Sequence, residues 1–530
     1  MSQAATAPPS QTAPKRAGLV LTALILGAIV ANINLSVANV ALPDIGSSLD
    51  ASQTQLNLIA VGCTLGLAMS VLYLGALGDR YGRKLMLSLG MILTVPASII
   101  SAWAPTADLL VFGRIFTGIA AGMAYPTTLA LITAIWASGP KRVKAIALWS
   151  GVSGGGAVLG PVIAGALLEQ FWWGSVFLIA IIPALLTLVL VVIAVPAHVN
   201  ESKDAVDHLG GVLTVFMVAA LVIGLGVIAS PGGITRALIL IAVSLVIAGI
   251  FVAHEKRASN PLYDLQIAKR RLFWVAALGG MVAFGSLMGA MFIGQQFLQN
   301  VLDYSTLGSG LAVLPAAVGM IAIAPTSAKL VMKLGSRDTM LLGYASIFPA
   351  FIIMLIAWKE NTPYWQVGLS YLLIGVGAAL VLTPASRALT SSVPVTRVGM
   401  ASGTTDLQRD LGGSIMQAIL GSVLTAGYAF SMAKQIGNSP DASKVTSETE
   451  ATLQLSYSSA QKLGEQYPQY AQAITSAARE SFLSGGNWAY AAAAAAIALG
   501  AVLVFFAYPG KSQETSLLNE YAKKDAASVG

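Results

Sequence analysis

Fourteen runs of about 20 apolar residues, the length that crosses a bilayer as a helix, constrain this chain more than any other feature. Their limits fall near 17–42, 54–77, 84–104, 107–132, 143–168, 173–196, 209–229, 235–253, 272–296, 307–328, 338–357, 365–389, 398–425 and 486–507. Of 530 residues, 56% are apolar and only 10% charged, against about 25% charged in an ordinary soluble domain. Such a chain cannot cover itself with polar surface, so lipid is its expected solvent. Residues 17–42 are longer than a signal-peptide core and precede no small-residue cleavage site, so they are expected to be a first span.

Basic residues test the orientation. With the N-terminus in the cytoplasm, twenty-two of the thirty Lys and Arg fall on cytoplasmic segments, six on outer segments and two, Arg114 and Arg409, within spans. Four of the six outer ones lie in the long segment 426–485, where the positive-inside rule acts weakly. The net charge of +7 is thus spread singly over short loops, which reads as an orientation signal and not as a nucleic-acid face. The single cysteine, Cys63, excludes an intrachain disulfide and any Cys-based metal cluster; no metal site is expected. Gly510-Lys511-Ser512 has Phe505 where a P-loop needs its first glycine, and the three histidines, His198, His208 and His254, fall in loops. Neither an ATP-driven pump nor an enzyme is expected, and no cofactor.

Between the second and third spans lies Gly75-Ala-Leu-Gly-Asp-Arg-Tyr-Gly-Arg-Lys84, a tight basic turn followed by Leu85-Met-Leu87. It resembles the loop signature of the major facilitator superfamily, G-x-L-x-D-R-x-G-R-K-x-x-L. The resemblance implies a conformational latch of Gly75, Gly78, Asp79, Arg80, Gly82, Arg83 and Lys84, with Asp79 meeting the start of a helix in the opposite half. That helix is expected near Ser336 to Asp338, where its dipole favours a carboxylate. Aligning Gly335 with Gly82 reveals a decayed copy of the motif: Lys333 stands on Arg80 and Arg337 on Lys84, while Met332 replaces Asp79.

Two further runs extend the resemblance. Leu110 to Gly122 is similar to the family's fourth-helix motif, R-x-x-x-G-x-x-x-G, whose arginine, here Arg114, is implicated in proton relay. A buried charge there costs roughly 2.5–3.5 kcal/mol on insertion scales, so Arg114 is expected to face a wet cavity or an acid unless it snorkels to the interface. Gly151 to Gly165 matches the fifth-helix motif through Gly156, Gly160, Pro161 and Gly165, which marks antiporters; close helix packing is its plainer reading.

In the first span, Asn34-Leu-Ser-Val-Ala-Asn-Val-Ala-Leu-Pro43 resembles the signature D-x-T-x-x-N-V-A-L-P of the fourteen-helix drug:proton antiporter family. The family's aspartate falls on Asn34, which cannot titrate, so another acid must carry any proton. Asp406 and Asp410 lie four apart on one face of the thirteenth span with Arg409 beside them. Two acids and one Arg leave one acid able to take a proton, or else a static ion pair that locks helices. Glu169 and Asp303, at outer ends of spans, are further candidates for a proton path. Phe284, Met288, Met291, Phe292 and Gln295, at helical spacing in the ninth span, are candidates for an adaptable substrate wall or for plain packing. Phe112, Phe116 and Trp149 are their counterparts in the other half.

These readings give an all-α integral membrane protein with a major facilitator fold of fourteen transmembrane helices, grouped six, two and six. Residues 1–16 are expected as a disordered cytoplasmic tail and 17–196 as the N-terminal bundle. Residues 197–271 form an inserted two-helix segment with cytoplasmic loops, 272–507 the C-terminal bundle and 508–530 a polar cytoplasmic tail. Residues 426–485 form a long extracytoplasmic loop, expected as a helical hairpin or cap. The resemblance implies a multidrug exporter of a bacterial cytoplasmic membrane, driven by the proton motive force, with amphipathic drugs, protons and membrane lipids as partners. A monomer is the expected working unit, with an oligomer left open. A transporter or flippase of lipids or lipid-like amphiphiles on the same fold is the alternative.

Overall fold

A backbone that crosses lipid must satisfy its own N–H and C=O groups, and each of the fourteen apolar runs does so as helix. The computed structural model describes residues 16–527 other than 50, 52, 138, 198, 200–204, 228–232, 395–396 and 440–444. The expected N-terminal tail therefore lies, except for Arg16, outside the described residues, as does His198. The first half contributes α1 (Ala17–Ser36), α2 (Gln53–Tyr81), α3 (Arg83–Ala102), α4 (Ala107–Ile135), α5 (Pro140–Leu168) and α6 (Ile181–Ala194). Next come α7 (His208–Val227) and α8 (Gly233–Glu255). The second half contributes α9 (Arg271–Asn300), α10 (Leu314–Leu334), α11 (Ser336–Ala357), α12 (Tyr364–Ser391), α13 (Val398–Gly437) and α14 (Ala471–Ala507), and α15 (Lys511–Ala527) follows.

Two large cores lie in the halves. One runs from Ile267 to Tyr508; the other is drawn from Val20 to Val195, joined by Phe251 and Leu262. The pair α7–α8 packs on the seam between them: Val218 and Val222 sit on Leu65 and Ala68 of α2, with Leu407 and Leu411 of α13 at the edge. Its far side, including Leu238, Leu245 and Val246 of α8, is exposed, as befits a lipid face. At one end of the pair His254 pairs with Asp207 at 2.8 Å, and His208 meets the Tyr73 hydroxyl of α2 at 2.7 Å.

The motif copy seen in the sequence has a structural counterpart. Gly82 (φ 116°) turns the chain from α2 into α3, and Gly335 (φ 93°) turns it from α10 into α11. Both occupy the left-handed region that only glycine enters without penalty.

Three boundaries differ from expectation. The run 17–42 is not one helix: α1 closes at Ser36 and the chain resumes as a second helix, Ala38–Leu49. Asn32 and Asn34 bond back to the carbonyls of Ala28 and Val30, and Ser36 to that of Ile33, a competition that weakens a helix ladder. Second, much of 426–485 is continuous helix. α13 has 40 residues, about 60 Å at 1.5 Å per residue, about twice the ~30 Å of a bilayer's hydrocarbon core, and packs along α14. Helices Ser447–Leu455 and Tyr457–Gln466 close the hairpin, and the Tyr428 hydroxyl donates to the Leu453 carbonyl at 3.1 Å. Third, most of the polar tail is the helix α15, docked on the second half through a buried acid, Glu514.

Candidate transport site between the two halves

The middle of α13 reads Thr404-Thr405-Asp406-Leu407-Gln408-Arg409-Asp410, and every polar side chain in it is buried. Thr404 and Thr405 stay helical by bonding back to the carbonyls of Met400 (2.8 Å) and Ala401 (3.0 Å). Arg409 leaves its own half and donates through Nη1 to the Tyr125 hydroxyl of α4. Its guanidinium carbon lies 5.0 Å from the ring centre of Trp149, 5.7 Å from Tyr125 and 5.9 Å from Phe284, each within cation–π range. Trp149 is fixed by its indole N–H, which donates to Thr128 Oγ1 at 2.8 Å. Asn32 and Ser153 stand beside the Tyr125 hydroxyl. Among the described residues no hydrogen-bond partner reaches either oxygen of Asp406, Oδ2 of Asp410, or Nε and Nη2 of Arg409.

Arg114 is wholly buried, so it does not snorkel. Among the described residues no acid pairs with it: Nη2 donates to the Asn34 carbonyl at 2.7 Å, Nε to the Ile59 carbonyl at 3.4 Å, and the Phe177 ring lies 5.3 Å away. The residue that replaces the family's aspartate is thus the one whose carbonyl holds this arginine. α2 and α4 approach through glycine: a Cβ on Gly66 would lie 2.1 Å from the Ile115 carbonyl oxygen. α5 is flanked on two sides. Gly156 and Gly160 face Ile29, Ile33 and Ser36 of α1, while Gly151 faces Met320 and Ala324 of α10 in the opposite half, and Gly165 faces Leu307. Pro161 is buried between them, its carbonyl near Gly310.

The loop motif does not meet the helix the sequence suggested. Asp79 Oδ2 accepts from the Gly399 N–H at 2.8 Å, at the start of α13, while Oδ1 pairs with Arg83 at 2.7 Å. Gly75 admits the contact, since a Cβ there would lie 3.1 Å from the Gly399 carbonyl oxygen. Arg83 also holds the Val199 carbonyl (2.8 Å), and Lys84 those of Val192 (3.1 Å) and Val195 (2.7 Å). Gly78 lies against Met86, and Arg80 lines a cleft with Asp79, Asp207, Pro261 and Arg397. The start of α11 is capped instead by Glu514 of α15, which accepts from the Ser336 N–H (3.0 Å), the Ser336 hydroxyl (2.6 Å) and Arg387 (2.8 Å). Met332 leaves the second motif copy without an acid, and α15 supplies one. Arg142 also ties the halves, donating to the Ser391 hydroxyl at 3.1 Å.

The other candidates scatter. Phe112 and Phe116 stack on each other at 6.2 Å, Phe112 57% exposed and Phe116 half-buried, and neither ring is among those around Arg409. Met288 and Phe292 pack on Gly413 and Gly421 of α13, and Met291 is buried in the second core. Gln295 accepts from Ser309 at 3.3 Å. Glu169 is exposed at the end of α5, and Asp303 forms a surface pair with Arg479 at 3.0 Å; neither touches the buried charges. Tyr125 and Glu514 were missed. A lone Tyr before Pro126 inside a span was a usable signal for the first, whereas nothing in a polar tail marks which acid is buried. Among the described residues no cluster of three His, Cys, Asp or Glu groups suits a metal.

Two helical bundles meeting across buried charges, tied at one end by a carboxylate, define a membrane transporter built for alternating access. The chain belongs to the Major Facilitator Superfamily, whose family model matches residues 24–416, and with fourteen apolar helices of spanning length it is a multi-pass membrane protein. It is 31% identical over 411 residues to Multidrug resistance protein Stp of Mycobacterium tuberculosis, covering 77% of this chain and 76% of the relative. Multidrug efflux pump LfrA of Mycolicibacterium smegmatis is 31% identical over 454 residues, 85% and 89% of the two chains. Methyl viologen resistance protein SmvA of Salmonella typhimurium is 29% identical over 494 residues, 93% and 98%. In fold the chain resembles the human organic anion transporter MFSD10, with a TM-score of 0.57 at 15% identity over 94% of this chain and 100% of that one. The xylose transporter XylE from E. coli gives 0.55 at 14% identity, over 93% and 98%.

Proposed function

We propose that this protein is a secondary active multidrug exporter of a bacterial cytoplasmic membrane, exchanging amphipathic or lipophilic compounds for protons. The observation that carries the reading is the buried group Asp406, Arg409 and Asp410, set where the halves meet and held across the seam by Tyr125. Asn34 cannot take a proton, and Asp79 is engaged by Arg83 and Gly399. Asp406 and Asp410 are buried acids with oxygens free to bind and release one. Arg409, reaching between bundles, is the group through which their charge acts on the seam. The relatives' names, multidrug resistance and multidrug efflux, favour drugs over lipid-like amphiphiles.

For a neutral compound, one proton moving through about 150 mV supplies roughly 3.4 kcal/mol, enough for a gradient of about 300-fold; a monovalent cation exchanged for one proton moves no net charge, so only the pH difference drives it. The distribution of basic residues supports cytoplasmic termini, and both bundles in one chain support a monomeric working unit. Proteoliposomes with a fluorescent cation and a labelled lipid, compared under imposed pH and voltage, test the reading. Uptake of the cation driven by the pH difference is expected; movement of the lipid alone would replace drug export by lipid transport.

A further inference from the structure

Arg409 has two carboxylates within a helical turn, Asp406 and Asp410, yet no ion pair joins it to either. Its guanidinium lies instead near the Trp149 and Phe284 rings and against the hydroxyl edge of Tyr125, which come from three helices and both halves. In a dry interior a charge-assisted pair is the stronger arrangement, so the acids stand ready for a partner that is elsewhere. Aromatic groups that attract a guanidinium attract other organic cations in the same way, and two cations at one such site repel each other.

We propose that Arg409 is a built-in placeholder: a transported cation displaces it from the Trp149–Tyr125–Phe284 socket, and the guanidinium withdraws onto Asp406 and Asp410. This deepens the export reading and rests on it. The arginine thereby sets specificity, since a guest must compete with a guanidinium for the same faces, and neutral compounds have no such claim.

Charge balance then requires a proton. With Arg409 in the socket, one carboxylate neutralises it and the other acid keeps its proton. With a monovalent guest in the socket, two positive charges need both carboxylates, and that proton leaves. No covalent bond changes. The groups facing the acids are Arg409 on their own helix, Tyr125 on α4 and, beside Asp410, Cys63 on α2; the α9 neighbour, Phe284, carries no charge.

The test uses the full-length protein in nanodiscs, with tetraphenylphosphonium as the probe and Arg409→Gln as the variant. The variant is expected to bind the probe about tenfold more tightly than the parent, because its socket has no internal occupant. Equal or weaker binding overturns the placeholder. Should Arg409→Gln fail to fold, Arg409→Lys is read in its place: its compact ammonium stacks poorly, so tighter binding than the parent is again expected, with the same contrary result. In weak buffer with a pH dye, the parent is expected to release one proton per probe bound, and the Asp406→Asn/Asp410→Asn double variant none; no release from the parent overturns the charge account. If the parent exports dye from proteoliposomes yet binds no tetraphenylphosphonium, the socket fails while the export reading stands.

Discussion

Asp79 at the end of α2 and Gly399 at the start of α13, 320 residues apart, share a 2.8 Å hydrogen bond. The carboxylate meets a helix N-terminus, where free N–H groups and the dipole favour negative charge. No side chain fits between them, since a Cβ on Gly399 would lie 2.3 Å from Asp79 Oδ2.

Asp79→Asn keeps an acceptor but leaves Arg83, 2% exposed, without its counter-charge, and Gly399→Ala forces the contact open. Each is expected to favour the cytoplasm-open state by about 1–3 kcal/mol. Alkylation of single cysteines placed on either face of a Cys63→Ser protein checks this; parental labelling on both faces contradicts it.

Glu514 of α15 accepts from Ser336 and Arg387 while only 3% exposed. Glu514→Ala leaves the first turn of α11 uncapped and Arg387 unpaired close to Arg142 of the other half. Arg387 is partly exposed, so the expected loss is a moderate ~1–3 kcal/mol. Thermal unfolding in detergent reads it, and an unchanged midpoint would show that α15 is not a brace.

Helix approach at Gly66 is equally direct to test. Gly66→Ala pushes a methyl against the Ile115 carbonyl and is expected to lower folded yield through overpacking of about 1–3 kcal/mol. Gly249, which has nothing within 4 Å of its Cβ position, accepts the same change with no loss of yield. Equal yields of the two variants would refute close packing of α2 on α4.

The fourteen spans were legible because lipid leaves the backbone no alternative to long apolar helices, and Gly82 and Gly335 marked matching turns by a conformation that few other residues adopt. The partner of Asp79 was not legible. Several helices begin on the same side as α13, and any of them offers free N–H groups; the start at Ser336 was already filled by an acid from a tail that reads as merely polar. The break after Ser36 depended on side chains bonding back to their own helix, a choice that apolar periodicity does not record. Aromatic residues in spans carried the least information, since Phe112 suits lipid as well as Phe284 suits a buried arginine. Asp406, Arg409 and Asp410 stood out because ionisable groups in spans are costly, but their aromatic socket is assembled from helices far apart in the chain.

Coupling through α13 is tested most directly by uptake of a fluorescent cation into proteoliposomes under an imposed pH difference, comparing the parent with Asp406→Asn/Asp410→Asn. The double variant is expected to lose pH-driven uptake of the cation while reaching the membrane in parental amount. Proton-driven uptake at the parental rate would contradict a coupling role for these two acids.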